Sequence, residues 1–152
     1  MSFSDALLQV IMAFFGTMGF GMLFRSRGKK LLLASLGGMA AWALFLLLGL
    51  RIESEPARYF IVSVIISIYA EVLARVCKTP AGTFGILSLV PLVPGGGLYY
   101  SADYALSGDM QAFAEKALST LSLTAMLSLG IVLVAAVAKF LSSALSSRRN
   151  QA

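Results

Sequence analysis

Apolar residues fill the chain in runs of about twenty, set apart by short polar stretches. A helix needs about 20 such residues to cross a hydrocarbon core of ~30 Å. The pattern predicts five spans, at about residues 5–24, 31–50, 57–76, 81–100 and 117–138. Arg25, Arg27, Lys29 and Lys30 follow the first run as a basic loop. Residues 51–56 (Arg-Ile-Glu-Ser-Glu-Pro) form a polar loop of balanced charge, and Pro56 suits the first turn of the third helix. Thr79-Pro80 marks a helix boundary. Residues 101–116 carry Asp103, Asp109 and Glu115 and read as a polar connection. Within it Ser107-Gly108 is a breaker, and Asp109 can start the last helix, which would then project beyond the outer face. The expected fold class is an all-α integral membrane protein: a single transmembrane domain of five helices over residues 1–152, the fourth broken.

Composition makes the membrane assignment firm. The chain is 59% hydrophobic and only 12% charged, against about 25% charged in soluble domains. Charge then supplies an orientation. Counting the loop at 25–30 as inside gives nine basic residues there: Arg25, Arg27, Lys29, Lys30, Arg75, Lys78, Lys139, Arg148 and Arg149. Outside are Arg51, Arg58 and Lys116, with every acid except Glu71. That bias places the N-terminus outside and the C-terminus in the cytoplasm, with five crossings. A re-entrant fourth segment would move Arg148 and Arg149 outside and weaken it. The N-terminus lacks a basic leader region, so the first run is expected to be retained as a span. The net charge of +5 is thus accounted for by inner loops, and no nucleic-acid partner is expected.

Several chemistries are excluded early. There is no histidine, which removes the Ser-His-Asp and Cys-His nucleophile systems and the commonest metal ligand. Cys77 is the only cysteine, so no internal disulfide or Cys cluster can form. No acidic pair lies within the spans. Neither an enzyme activity, a metal nor a cofactor is expected. No nucleotide-binding signature occurs, so ATP coupling would need another chain, and an ion gradient is the expected drive.

The candidate chemistry lies in two places. The first is the fourth segment, where Pro91, Pro94, Gly95, Gly96 and Gly97 interrupt an apolar run. As helix-interior residues these five would cost roughly 9 kcal/mol relative to alanine. Broken backbone at membrane depth survives only when buried in protein or lining a wet cavity. Counted from residue 81, Pro91 falls about 15 Å in, near the midplane. Discontinuous helices at that depth point to transporter sites, where free N–H groups at a helix start can hold a carboxylate. The alternative reading is a kink that only shapes packing.

The second place is a stripe on the third span. Ser63, Ser67, Glu71 and Arg75 recur every four residues and share one face. An intramembrane carboxylate usually faces the bundle interior, so Glu71 is a candidate to carry a coupling proton, with Arg75 holding it or meeting an anionic substrate. The competing reading is an i,i+4 ion pair at the cytoplasmic boundary. Ala13, Thr17 and Gly21, and the pairs Ala34/Gly38 and Gly37/Ala41, read as small-residue packing faces. Ser119, Ser122, Thr124 and Ser128 give the last span a polar side suited to interhelical hydrogen bonds. Trp42, Tyr59 and Tyr69 suit packing or interface anchoring.

Lys78-Thr79-Pro80 followed by Pro91-Leu-Val-Pro94-Gly95-Gly-Gly-Leu-Tyr99-Tyr resembles the threonine/serine exporter family, and within it the small subunit that corresponds to the C-terminal half of the full-length exporter. The resemblance implies a bacterial plasma-membrane exporter of threonine, serine or succinate-type dicarboxylates. It also implies a larger membrane partner that carries the other half. Lys78, Thr79, Pro80, Pro91, Pro94, Gly95 and Tyr99 are the positions it singles out. A bundle with small-residue faces and one broken helix suits part of a larger assembly, a homo-oligomer included. The expected function is therefore a membrane subunit of a secondary exporter, touching lipid, a small-molecule substrate and that larger subunit. The alternative is a non-transporting membrane scaffold or assembly partner.

Overall fold

A computed structural model of the chain describes the backbone of residues 3–149 and the side chains of residues 3–143. Six helices follow one another: α1 (Phe3–Leu23), α2 (Lys29–Gly49), α3 (Glu55–Cys77), α4 (Ala81–Leu89), α5 (Gly95–Ser107) and α6 (Met110–Arg149). A 3-10 turn at Val90–Leu92 extends α4, and no strand occurs among the described residues. The side chains of Arg148 and Arg149, counted above on the inner side, lie outside the described part.

Local chemistry explains the helix ends. Pro56 sits in the first turn of α3, where its missing N–H costs nothing. Lys78 ends that helix in the left-handed region at φ 47, and its N–H donates to the Ala74 carbonyl. Gly108 closes α5 at φ 81. The Asp109 carboxylate then accepts the Ala112 N–H at 3.0 Å and starts α6, as the sequence leads one to expect.

The fourth span departs from its predicted extent. Residues 101–107, read above as polar connection, continue α5 for two further turns. They do so because α5 lies along α6: Gly97 meets Thr120, and the Lys116 ammonium stands 5.9 Å over the Tyr100 ring. The last helix accordingly starts at Met110, beside the Asp109 start the sequence offers and seven residues before the span at 117–138. At about 1.5 Å per residue its 40 residues are ~60 Å long, twice a hydrocarbon core. Four helices are long and apolar enough to cross a membrane, or five if α4 and α5 form one bent span.

Packing is by close approach of small residues. α2 is gripped by α1, α3 and α4, while α6 lies along α3 and α5. Thr17 of α1 is fully buried against Gly38, where a Cβ would collide with its side chain. Ser88 of α4 donates to the Ala34 carbonyl at 3.1 Å, and Tyr69 of α3 to the Leu33 carbonyl at 2.8 Å. The predicted packing faces thus meet within the chain, driven by van der Waals contact and interhelical hydrogen bonds. One apolar cluster gathers Phe45, Tyr59, Val62, Leu92 and Leu123; a second gathers Ala34, Ala70, Phe84 and Leu87. Trp42 anchors α1 through an Nε1–H···Gln9 hydrogen bond at 3.2 Å.

α3 and α6 run parallel. Tyr59 clusters with Leu123, Ser63 faces Gly130, and Val64 to Arg75 line a groove with Leu133 to Leu141. The polar side of α6 does not bond across helices as expected. Ser122 donates to the Ser119 carbonyl and Thr124 to the Thr120 carbonyl of its own helix. In a lipid-facing helix the near carbonyl is the partner always in reach.

Candidate functional site

Four side chains descend α3 toward one end of the bundle. Ser63 is fully buried, donates to the Phe60 carbonyl at 2.8 Å and abuts Gly130 of α6. One turn on, Ser67 is only 7% exposed, and its hydroxyl has no hydrogen-bond partner. Such an orphan costs about 1–3 kcal/mol, so it stands out in a natural fold. Glu71 is half-buried, and Arg75 is exposed.

Ser67 and Glu71 line a groove of about 400 Å³ between α3, α4 and α6. Its walls include Ala70, Gly82 and Gly85 on the α3 and α4 sides, and Leu127, Ile131 and Ala135 on α6. The small residues make the space. Gly82 has nothing within 4 Å of a notional Cβ, and Gly85 meets only the Ala70 methyl at 3.6 Å. On the other flank of the α3–α6 seam is a second groove of about 390 Å³, which Glu71 shares with Arg75, Ile68 and Val137. Glu71 thus belongs to both grooves. No ion pair joins it to Arg75 among the described residues.

The break has its own geometry. Val93 is extended at φ −63 and ψ 123, as a residue preceding proline prefers. Pro94 caps α5, and the helices on either side are bent by 56°. The Gly95 N–H donates to the Val93 carbonyl at 2.7 Å. No side chain caps the α5 start, so the N–H groups of Gly96 and Gly97 remain available, as a carboxylate ligand would need. At the break Leu92 clusters with Tyr59, Val62 and Ile66 of α3, and Gly97 meets Thr120 of α6.

The two candidate places meet only partly. Of the break, Val93 lines the Glu71 groove. Pro91 and Pro94 are half-buried beside it, and Gly95 and Gly96 are exposed with open space around them. Gly97 serves the α5–α6 contact, since a Cβ there would collide with Thr120. Tyr99 is 68% exposed, its ring edge-on to Tyr100 with centroids 5.4 Å apart. Lys78 is exposed at the turn between α3 and α4, and the Thr79 hydroxyl donates to the Cys77 carbonyl at 3.0 Å.

Sequence reasoning passes over two features. Gly82 and Gly85 open the groove, and the only available signal was a small-residue run at Ala81, Gly82 and Gly85. Arg58, counted only as an outer charge, holds its guanidinium 4.7 Å from the Phe45 ring centre, with Nε buried and unpartnered.

Chemically, the groove offers one carboxylate in apolar walls, with the unpartnered Ser67 hydroxyl buried behind them. That carboxylate can hold a proton or a small cation. Comparison with curated proteins and with solved structures gives no match. A family model described as "Threonine/Serine exporter, ThrE" matches residues 9–137, nearly the whole chain and all three walls of the groove, and the chain therefore belongs to the threonine/serine exporter family.

Proposed function

We propose that the chain is a membrane subunit of a secondary exporter in the bacterial plasma membrane. It moves small carboxylate-bearing metabolites, threonine and serine or succinate-type dicarboxylates, together with a larger partner subunit of the same family. Residues 1–152 form a single transmembrane domain with its N-terminus outside and its C-terminus in the cytoplasm. The parallel run of α3 and α6 supports five crossings, because a chain that leaves one and enters the other must return across the membrane between them. Two helical stretches of about 18 and 20 Å, bent by 56°, still reach ~33 Å end to end, enough for that return.

The observation that carries this reading is the groove. An unpaired carboxylate and an orphan hydroxyl sit where two continuous helices meet the broken one. Polar groups at such depth mark a pathway. In this reading Glu71 provides the charge within the path, and Arg75 and Lys78 at the α3 end draw anionic solutes toward it. The α5 start, with Pro91, Pro94, Gly95, Gly96, Gly97 and Tyr99, forms the other end.

The test is efflux of threonine, serine and succinate from cells that express the chain with and without its larger partner. Glu71→Gln is expected to lower efflux at least tenfold with membrane abundance unchanged, since it removes a charge made for the path. Undiminished efflux in that variant would favour the scaffold reading, in which only assembly matters.

A further inference from the structure

Arg58 is half-buried, unlike every other arginine whose side chain is described. It stands in the first turn of α3, just past Arg51, Glu53 and Glu55, where the apolar run of that span begins. Its guanidinium folds back over the end of α2. The Phe45 ring centre is 4.7 Å away, and a Cβ on Gly49 would come within 2.8 Å of Nη1. Phe45 is itself stacked on Trp42 and edge-on to Tyr59, so the ring beneath the cation is held in place by packing.

This seat leaves the charge unanswered. No carboxylate pairs with Arg58 among the described residues, although Glu53 and Glu55 are close in sequence. The carbonyls of Leu47 and Leu48 at the end of α2 are taken by the N–H groups of Leu50, Arg51 and Ile52. The Nε side is buried and closed. Nη1 and Nη2 make no hydrogen bond either, yet neither is sealed from the surroundings. Position adds to the demand. The first turn of a helix is the positive end of its dipole, so a cation there gains from an anion beside it.

We infer that the open Nη edge of Arg58 is a seat for the phosphodiester of a phospholipid headgroup. Two nonbridging oxygens of one phosphate match two parallel N–H donors of a guanidinium, a pairing that lysine cannot make. The Phe45 face sets the plane of that fork beforehand. The surroundings favour lipid over a free anion. Leu47 and Leu50, on either side of Gly49, are 61% and 78% exposed, so apolar surface adjoins the cation. A ligand with a charged head and apolar tails meets both, whereas an inorganic ion meets only the first. None of these residues lines either groove at Glu71, so the seat is separate from the candidate path and does not depend on what the chain exports.

The experiment uses the full chain in dodecylmaltoside micelles. Phenylglyoxal, which attacks the terminal nitrogens of arginine, is the probe, and its adducts are read by peptide mass spectrometry. Arg51, exposed at the same end, is the internal reference. Dioleoylphosphatidylglycerol is expected to slow modification of Arg58 several-fold and to change Arg51 little. Dioleoylglycerol, with the same tails and no phosphate, should leave Arg58 as reactive as before, and so should inorganic phosphate at millimolar concentration. Gly49→Leu, at an exposed position, pushes the guanidinium off its seat and should remove the protection while the thermal midpoint stays put.

An Arg58 that phenylglyoxal does not reach without lipid would overturn the inference, because the outer edge would then be closed. Equal protection of Arg51 would reduce it to unspecific attraction of an anionic lipid. Protection by inorganic phosphate would give the seat to a free ion, and protection by dioleoylglycerol would give it to the tails; either result strikes out the headgroup. A gain in Arg58 reactivity on Glu55→Gln, with lipid inert, would mean that the charge is answered from within the chain.

Discussion

Ser63 and Gly130 meet at the tightest point of the α3–α6 seam. A Cβ on Gly130 would overlap the Ser63 hydroxyl and come within 3.0 Å of the Phe60 carbonyl. The serine could turn away, but the backbone oxygen cannot, so the helices must part. Gly130→Ala is therefore expected to destabilise the folded chain by about 1–3 kcal/mol, the usual cost of overpacking. A lowered midpoint of thermal unfolding in detergent checks this. Gly95→Ala, which enters open space, should leave the midpoint unchanged. At this scale the sequence was legible where spacing alone decides the outcome. Ala34 and Gly38 recur at a helical interval, and Gly38 does meet Thr17 while Ala34 packs against α4. The orphan state of Ser67 was not legible, because its absent partner depends on where α4 and α6 come to lie.

Elements reverse that balance. The helix starts and stops were readable from Pro56, Pro80, Gly108 and Asp109, each of which acts through its own backbone. The reach of α5 was not. Residues 101–107 look polar in isolation and are helical because Ser101 and Gly97 lie against α6. The same dependence separates the glycines of the break. Gly97 is a packing residue, whereas Gly96 is exposed and leaves its N–H free. A leucine at position 96 meets nothing in the fold but shields those N–H groups. Gly96→Leu is expected to cut solute efflux several-fold while the thermal midpoint stays put. Equal efflux would return the break to the role of a kink.

For the whole molecule, orientation is the property that charge predicts and packing alone does not display. Cys77, the single thiol, stands half-buried at the α3 end beside Lys78. Under the proposed orientation, which puts the C-terminus in the cytoplasm, a membrane-impermeant maleimide is expected to label Cys77 in inverted vesicles and to spare it in intact cells. The opposite pattern would invert the assignment. The broken span also shares its two halves between neighbours. α4 is fastened to α2 and α3, α5 to α6, and the chain passes from one to the other through Val93 and Pro94. Because α6 is itself held along α3, that elbow is braced from both sides. The smallest irregular piece of the chain is thus a fixed corner of the bundle, and whatever it exposes is held out at one set angle.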